Sequence, residues 1–149
     1  MKKVFILLML ATATFSIQAK DILPENVPAK VKSYVSKHYS KVSNIEWDDK
    51  SKKGYYEAEF RYQGREVELK IADNGTLIAS KEDMLIKDIP SFATDYIKKN
   101  YKDAQILGAN KKYENGSTTY SVGVKFVNDR GHDRHRNIVF DSKGNIIKR

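Results

Sequence analysis

The feature that most constrains the fold is an internal duplication. The segment VPAKVKSYVSKHY at 27–39 aligns without a gap with IPSFATDYIKKNY at 89–101. Four positions are identical in the two segments, namely Pro28/Pro90, Tyr34/Tyr96, Lys37/Lys99 and Tyr39/Tyr101. Repetition of this kind is the signature of a chain built from copies of one supersecondary unit.

The closing parts of the two units align as well. LKIADNGTLI at 69–78 lies over IVFDSKGNII at 138–147, with glycine over glycine and apolar residues over apolar residues. We therefore predict two repeats, at 22–85 and 86–149, that together form one compact domain.

Each unit is predicted to open with a helix. Apolar residues recur over 27–39 and over 89–101 with the spacing of one helix face. Proline lacks the N–H that would be unpaired in the first helical turn, which places Pro28 and Pro90 at the first helical positions. The tyrosines of these helices are expected to pack at the edge of the core.

A hairpin is predicted after the first helix. Residues 55–62 and 66–71 alternate apolar and polar or charged side chains, and Gln63-Gly64 suits a two-residue turn. This turn sets Phe60 opposite Val67, and the next two pairs inward are also apolar. The alternation predicts a sheet with one packed face and one solvated face.

Two shorter strands complete the first unit, at Asn44–Asp48 and Thr76–Ser80. The predicted fold class is α+β, a tandem duplication of an α-β-β-β-β unit.

The layout resembles the PepSY-like family of exported bacterial proteins, which share the two-repeat architecture of the beta-lactamase inhibitory protein. The resemblance rests on the proline-led helices that end in tyrosine and on the DSKG motif at 141–144. It implies two helices on one face of a continuous antiparallel sheet, and by analogy an open face that binds a protein. Ala72 stands where the second unit has Asp141, and the chain has no cysteine, whereas the named inhibitor is disulfide-bonded. No inhibitory residue is therefore carried over.

Residues 1–19 have the pattern of a signal peptide. Lys2 and Lys3 precede an apolar run over 4–15, and Ala19 provides a small residue for cleavage. The run is shorter than the ~20 residues that a membrane span requires, and the chain has no cysteine that could carry a lipid. We expect a periplasmic or secreted protein that is not anchored to the membrane.

Charge is distributed unevenly along the chain, whose formal net charge is +8. Residues 20–85 hold 12 Lys/Arg and 12 Asp/Glu, whereas residues 86–149 hold 13 and 7. An exported protein meets no genomic DNA, so we expect no nucleic-acid partner despite the basic character. The excess charge favours an anionic partner for the second unit.

The first unit offers four candidate partner contacts on its solvated face. The hairpin register sets Glu59 opposite Glu68, a like-charged pair that costs stability unless a cation, a shared proton or the flanking Arg61 and Lys70 offsets it. Paired carboxylates could serve glycoside chemistry or hold a hard cation, but no sugar-binding cleft or calcium-loop spacing accompanies them. A solvated charged face is the favoured interpretation. Tyr55 lies beside this charged row and is a candidate contact because tyrosine is enriched at interface hot spots. The predicted partner-binding residues of the first unit are therefore Tyr55, Glu57, Glu59 and Glu68.

The second unit carries the basic segment NDRGHDRHRN at 128–137. Transferring the first register across the duplication sets Lys125 opposite His135 on the solvated face and makes this hairpin tip five residues longer than Gln63-Gly64. Lys125 and His135 are candidate contacts on the open face, and Arg130 and His132 are candidates at the tip. His132 and His135 fall on opposite faces of a continuing strand, so no metal site is predicted.

Phosphate-loop, dinucleotide-binding and metalloprotease motifs are absent from the sequence, so we expect no catalytic residues and no cofactor. The favoured function is an exported, non-enzymatic binding or inhibitor-like module that contacts a cell-envelope protein or an anionic envelope component. The alternative is a cation- or polyanion-binding envelope stress protein that acts through the basic hairpin.

Overall fold

Two α-helices, three short 3-10 helices and nine strands form in residues 20–148, the part of the chain that the computed structural model describes. The predicted signal peptide, 1–19, lies outside these residues. The strands are β1 Lys20–Asp21, β2 Glu46–Lys50, β3 Tyr55–Tyr62, β4 Arg65–Ile71, β5 Leu77–Met84, β6 Gln105–Glu114, β7 Ser117–Val127, β8 Asp133–Asp141 and β9 Ile146–Lys148. The α-helices are α1 Ala29–His38 and α2 Ser91–Asn100. Neither helix has the length or the apolar character needed to cross a bilayer.

Each helix begins one residue later than the sequence suggested. Pro28 and Pro90 both have φ −54° and ψ 139°, so they are N-cap residues rather than the first helical residues. The Pro28 carbonyl accepts hydrogen bonds from the Val31 and Lys32 amides at 3.0 and 3.1 Å. Proline fits this position because its carbonyl starts the helix and its missing N–H is not needed there.

All nine strands of the described region belong to one antiparallel sheet in which strand order equals chain order. The β3–β4 turn uses Gln63 and Gly64 at φ 51° and 79°, two positive values typical of a tight hairpin turn. The predicted register is confirmed, with Phe60 opposite Val67 and Ala58 opposite Leu69. The flanking strands differ from prediction, because β2 is shifted two residues along the chain and β5 continues to Met84.

Two hydrophobic clusters lie on the same side of the sheet, one under each helix. Val31 and Val35 of α1 are buried against Ala58, Leu69 and Ile71. In the second repeat, Ala93 and Ile97 of α2 are buried against Val122, Ile138 and Phe140. Val67 pairs with Glu82, Glu82 with Lys111, Lys111 with Tyr120, and Tyr120 with Phe140. Residues directly opposite each other project to the same face, so both clusters lie on one side of the sheet. This face is called the helix side below. The predicted fold class, with its duplicated unit and its helices on one face, is confirmed.

A polar seam separates the two clusters on the helix side. It lies along the β5–β6 pairing, where Ser80 faces Tyr113 and Glu82 faces Lys111. The Tyr39 hydroxyl, at the end of α1, donates a 2.6 Å hydrogen bond to Glu82 Oε1. Burial, followed by this hydrogen bond and the Glu82 charge, raises the pKa of Tyr39 far above its usual range.

Candidate functional site

The sheet face opposite the helices is called the open face, and its charged side chains surround a shallow depression. Successive strand residues point to opposite faces, so the residues next to the buried Ala58 and Leu69 along each strand project to the open face. Ala79 forms the floor with 5% exposure, in a depression of about 230 Å³. Its charged rim residues are Glu57, Glu59, Glu68, Lys70, Lys81, Lys112 and Glu114.

Ion pairs organise most of this rim. Lys81 Nζ lies 2.7 Å from Glu68 Oε1, and Lys112 Nζ lies 2.6 Å from Glu114 Oε2. Lys70 Nζ lies 3.6 Å from Glu57 Oε1, with Lys50 on its other side at 3.9 Å from Glu57 Oε2. These side chains are partly exposed, so each pair contributes little to stability. Their effect is to hold opposite charges together around the floor, although Glu59 faces Glu68 and Lys81 faces Lys112 across the strands.

Glu59 differs from the other rim carboxylates because it makes no ion pair or hydrogen bond within residues 20–148. It stands between Glu46 on β2 and Glu68 on β4. Partial burial, followed by the charges of Glu68 and Glu57, raises the pKa of Glu59. The rim therefore holds one carboxylate that is repelled by its neighbours and compensated by none of the described side chains.

The flanking Arg61 and Lys70, which were among the possible compensations of the Glu59–Glu68 pair, both bind other carboxylates. Arg61 pairs with Glu66 at 3.9 Å, and Lys70 pairs with Glu57. Lys81 of β5 instead binds Glu68, and this hydrogen bond raises the pKa of Lys81. The prediction missed Lys81 because it ended the strand at Ser80, although Ala79, Lys81 and Asp83 continue the alternation.

Tyr55 lies at the margin of the same region, half-buried and opposite Lys50. The Lys70 ammonium lies 5.4 Å from the centre of its ring, within the range of a cation–π contact. Tyr55, Glu57, Glu59 and Glu68 thus occupy one continuous region of β3 and β4. Their role in partner binding stays a prediction.

The second-unit candidates lie apart from this region, with β5 and β6 in between. Lys125 is opposite His135, as predicted from the duplication. Lys125 Nζ also lies 2.6 Å from Asp133 Oδ2, a contact that lowers the pKa of Asp133. The sequence analysis did not predict this ion pair, which compensates the charge of Lys125.

The long hairpin tip is closed by Asn128. Its side-chain oxygen accepts hydrogen bonds from the Arg130 and His132 amides at 3.1 and 2.9 Å, and Gly131 has φ 77°. Arg130 and His132 are exposed. His132 precedes β8 and His135 lies within it, and residues 20–148 contain no cluster of three or more His, Cys, Asp or Glu side chains suited to a metal ion.

The sequence matches the family model described as "Putative beta-lactamase-inhibitor-like, PepSY-like" over residues 14–79 and 54–148. A single antiparallel sheet built from two repeats, with both helices on one face and the other face open, defines a protein of the inhibitor-like class. This chain belongs to the PepSY-like family, as the sequence resemblance suggested.

Three solved structures share the fold. A protein of a domain-of-unknown-function family from Bacteroides uniformis is 18% identical with a TM-score of 0.59, covering 81% of this chain and 86% of its own. A protein described as a putative periplasmic protein from Bacteroides eggerthii is 16% identical with a TM-score of 0.59, covering 82% and 86%. A "BLIP-like protein" from Bacteroides fragilis is 19% identical with a TM-score of 0.55, covering 79% and 81%. At these identities the likeness shows the fold alone. No curated protein matches the sequence.

Proposed function

We propose that this protein is an exported, non-enzymatic binding module of the inhibitor-like kind, which contacts a cell-envelope protein through its open face. The observation that carries the proposal is the arrangement of the sheet. Both helices cover one side, and the other side presents a depression floored by Ala79 and rimmed by fixed charges. A wide, rigid sheet face suits recognition of a protein surface, because little conformational freedom is lost on binding.

The rim indicates the chemistry of the partner. Glu59 is repelled by Glu68 and lacks a compensating cation among the described residues. A lysine or arginine of the partner, placed over the depression, would relieve this repulsion and form a charge-assisted hydrogen bond. Tyr55 at the margin would add apolar contact area.

Export is supported by two observations. The sequence of residues 1–19 has the pattern of a signal peptide. The structural neighbour from Bacteroides eggerthii is described as a putative periplasmic protein. A periplasmic or secreted location would place the open face in contact with envelope proteins.

The experiment is a comparative capture from envelope extract. Wild type is compared with a variant carrying Tyr55→Ala, Glu59→Ala and Lys125→Ala on the open face. A matched control carries Lys37→Ala and Asp95→Ala, which also remove one cation and one carboxylate but lie on the exposed surfaces of the helices. We expect proteins that wild type and the control retain and the open-face variant loses. Identical sets from all three would refute the open face as the binding surface.

A second candidate function, binding of an anionic polymer, is favoured by the exposed arginines of the long hairpin, Arg130, Arg134 and Arg136. Binding of this kind depends on screened charge, so it falls steeply with salt. Heparin and polyphosphate are suitable probes. Replacement of all three arginines by glutamine should abolish retention, whereas the open-face variant should keep it.

A further inference from the structure

Strand β8 presents an uncovered sheet edge along half of its length. On one side it pairs with β7 from Asp133 to Asp141. On the other side it pairs with β9 through Val139 and Phe140 only. Within residues 20–148, residues 133–137 therefore have a strand neighbour on one side alone. These five residues are all exposed.

The outward backbone groups of this edge can be assigned from two hydrogen bonds. The Val127 amide donates to Lys102, away from β8, and the Asn128 amide donates to the His132 carbonyl. Antiparallel ladders alternate between residues that face the partner strand and residues that face away. The N–H and C=O groups of Asp133, His135 and Asn137 consequently point to the free edge, while those of the intervening arginines bond to β7.

The two arginines between them project on the helix side. Arg134 is opposite Phe126 and Arg136 is opposite Val124. The Arg136 guanidinium lies 5.8 Å from the centre of the Phe126 ring, a contact that orients it. Phe126 also borders a depression of about 480 Å³ whose charged lining residues are Lys98, Lys99, Lys102 and Asp129, three cations and one anion. The helix side of this edge is therefore basic.

We propose that this edge binds an extended acidic peptide segment, which adds as a further antiparallel strand with carboxylates at alternate positions opposite Arg134 and Arg136. Addition of a strand to a sheet edge supplies main-chain hydrogen bonds for affinity and alternate side chains for specificity. The arginines are in the pairs that do not exchange backbone bonds with the new strand, where facing side chains come closest. This inference uses the β8 edge and the helix side, so it is independent of the open-face proposal.

Charge also decides between this occupant and a second copy of the chain. If the β8 strands of two copies paired antiparallel around His135, Arg134 of each copy would face Arg136 of the other. Like charges directly opposite each other destabilise a strand pair. Charged side chains are a common protection of sheet edges against self-association. The same two arginines that oppose self-pairing attract an acidic strand.

The test uses the full mature chain and the peptide TTETETT, in which the glutamates stand opposite the arginines and the central threonine stands opposite His135. We expect binding at micromolar to millimolar peptide. The amides of Asp133, His135 and Asn137 should become protected from hydrogen exchange on binding, whereas those of the arginines are already protected in the free protein. Failure to bind at millimolar peptide, or protection elsewhere without protection at these amides, would overturn the proposal.

Two methylated peptides separate strand addition from simple charge attraction. Methylation of the central threonine nitrogen removes an N–H that faces β8, so it should abolish binding. Methylation of the backbone nitrogen of a glutamate affects an N–H that faces away from β8, so it should be tolerated. Equal binding by both methylated peptides would show that charge alone attracts the peptide and would refute strand addition at the β8 edge.

Protein variants supply the complementary test. His135→Pro removes an outward N–H and leaves the bonds to β7 in place, so the fold, checked by circular dichroism, should persist while binding is lost. Arg134→Glu with Arg136→Glu should weaken binding of TTETETT by about tenfold or more and favour the lysine analogue TTKTKTT. A wild-type chain that sediments as a β8-paired dimer would assign the edge to a second copy and overturn the acidic-peptide proposal.

Discussion

Replacement of Tyr39 by phenylalanine tests the hydrogen bond between α1 and the polar seam. The Tyr39 hydroxyl donates to Glu82 Oε1 at 2.6 Å. Its ring packs edge-on against Phe60 and Tyr62, with ring centroids 5.0 and 5.2 Å away. Tyr39→Phe keeps these ring contacts and removes only the hydroxyl, so the stability change reports the hydrogen bond.

The expected loss follows from the nature of the acceptor. A hydrogen bond to a charged group contributes about 1.5–3 kcal/mol net when buried. Water reaches this half-buried bond in part, so we expect Tyr39→Phe to lower the free energy of unfolding by about 1–2 kcal/mol. For a domain of about 130 residues that corresponds to a fall in Tm of about 4–7 °C. Urea denaturation followed by the fluorescence of Trp47, the single tryptophan of the chain, measures it.

The loss should also depend on pH with a definite sign. The pKa of Tyr39 is raised in the folded chain, first by burial and then by the Glu82 hydrogen bond. A raised pKa contributes stability that is complete below the unfolded value of about 10 and is lost as pH rises above it. The difference between wild type and Tyr39→Phe should therefore be constant around neutral pH and shrink as pH rises above about 10.

The duplication supplies the control. Tyr101 is the equivalent residue of the second repeat, and its ring lies 4.7 Å from that of Phe126. No side-chain hydrogen bond of Tyr101 occurs among the described residues 20–148. Tyr101→Phe should therefore change the stability by less than about 0.5 kcal/mol. Equal losses for the two substitutions, or no loss for Tyr39→Phe, would refute the role assigned to the Glu82 bond.

Three further predictions concern the turns, the open face and the core. Gly144 and Gly54 share φ +88°, but a Cβ at Gly144 would lie 3.0 Å from Phe92 Cγ and one at Gly54 would meet open space. Gly144→Ala should therefore destabilise by at least about 1 kcal/mol more than Gly54→Ala in urea titrations, and equal effects would contradict the packing argument. Because Glu59 faces the like-charged Glu68 directly across the strands, Glu59→Gln should stabilise at pH 7 by about 0.5 kcal/mol. That gain should vanish as pH falls below about 4, and a gain that persists in acid would exclude charge repulsion as its cause. Phe140→Ala removes a fully buried ring and should cost about 3–5 kcal/mol by the same assay, and a loss below 1 kcal/mol would show that the second core collapses around the gap.

The hairpin registers were predictable because the sequence specifies them twice. Gln63-Gly64 sets the first register, and a slip of one residue would turn Ala58 and Leu69 to solvent. The duplication carries the same register into the second unit, so that Lys125 facing His135 followed without further information. Alternation and a turn are local signals, and they suffice where one face of a strand is buried.

The centre of the open face was not predictable in the same way. Strand β5 continues through Lys81, Glu82 and Asp83, three consecutive charged residues that local β propensity disfavours. They are held in the sheet by β6, which belongs to the other repeat. Lys112 enters the rim for the same reason, because only the pairing of the two repeats brings it beside Lys81. The Lys125–Asp133 contact depends on side-chain rotamers, about which a sequence pattern is silent.

The agreement of strand order with chain order bears on how the molecule folds. Every strand pairs with strands adjacent to it in sequence, and each helix packs on strands of its own repeat. Chains dominated by such local pairings fold faster than sheets that must close long loops. A polypeptide that emerges with its N-terminus first can complete the first core before the second repeat is present, and then extend the sheet one strand at a time from β5. We expect β5 to be the last edge of an early folding intermediate and the template on which the second half assembles.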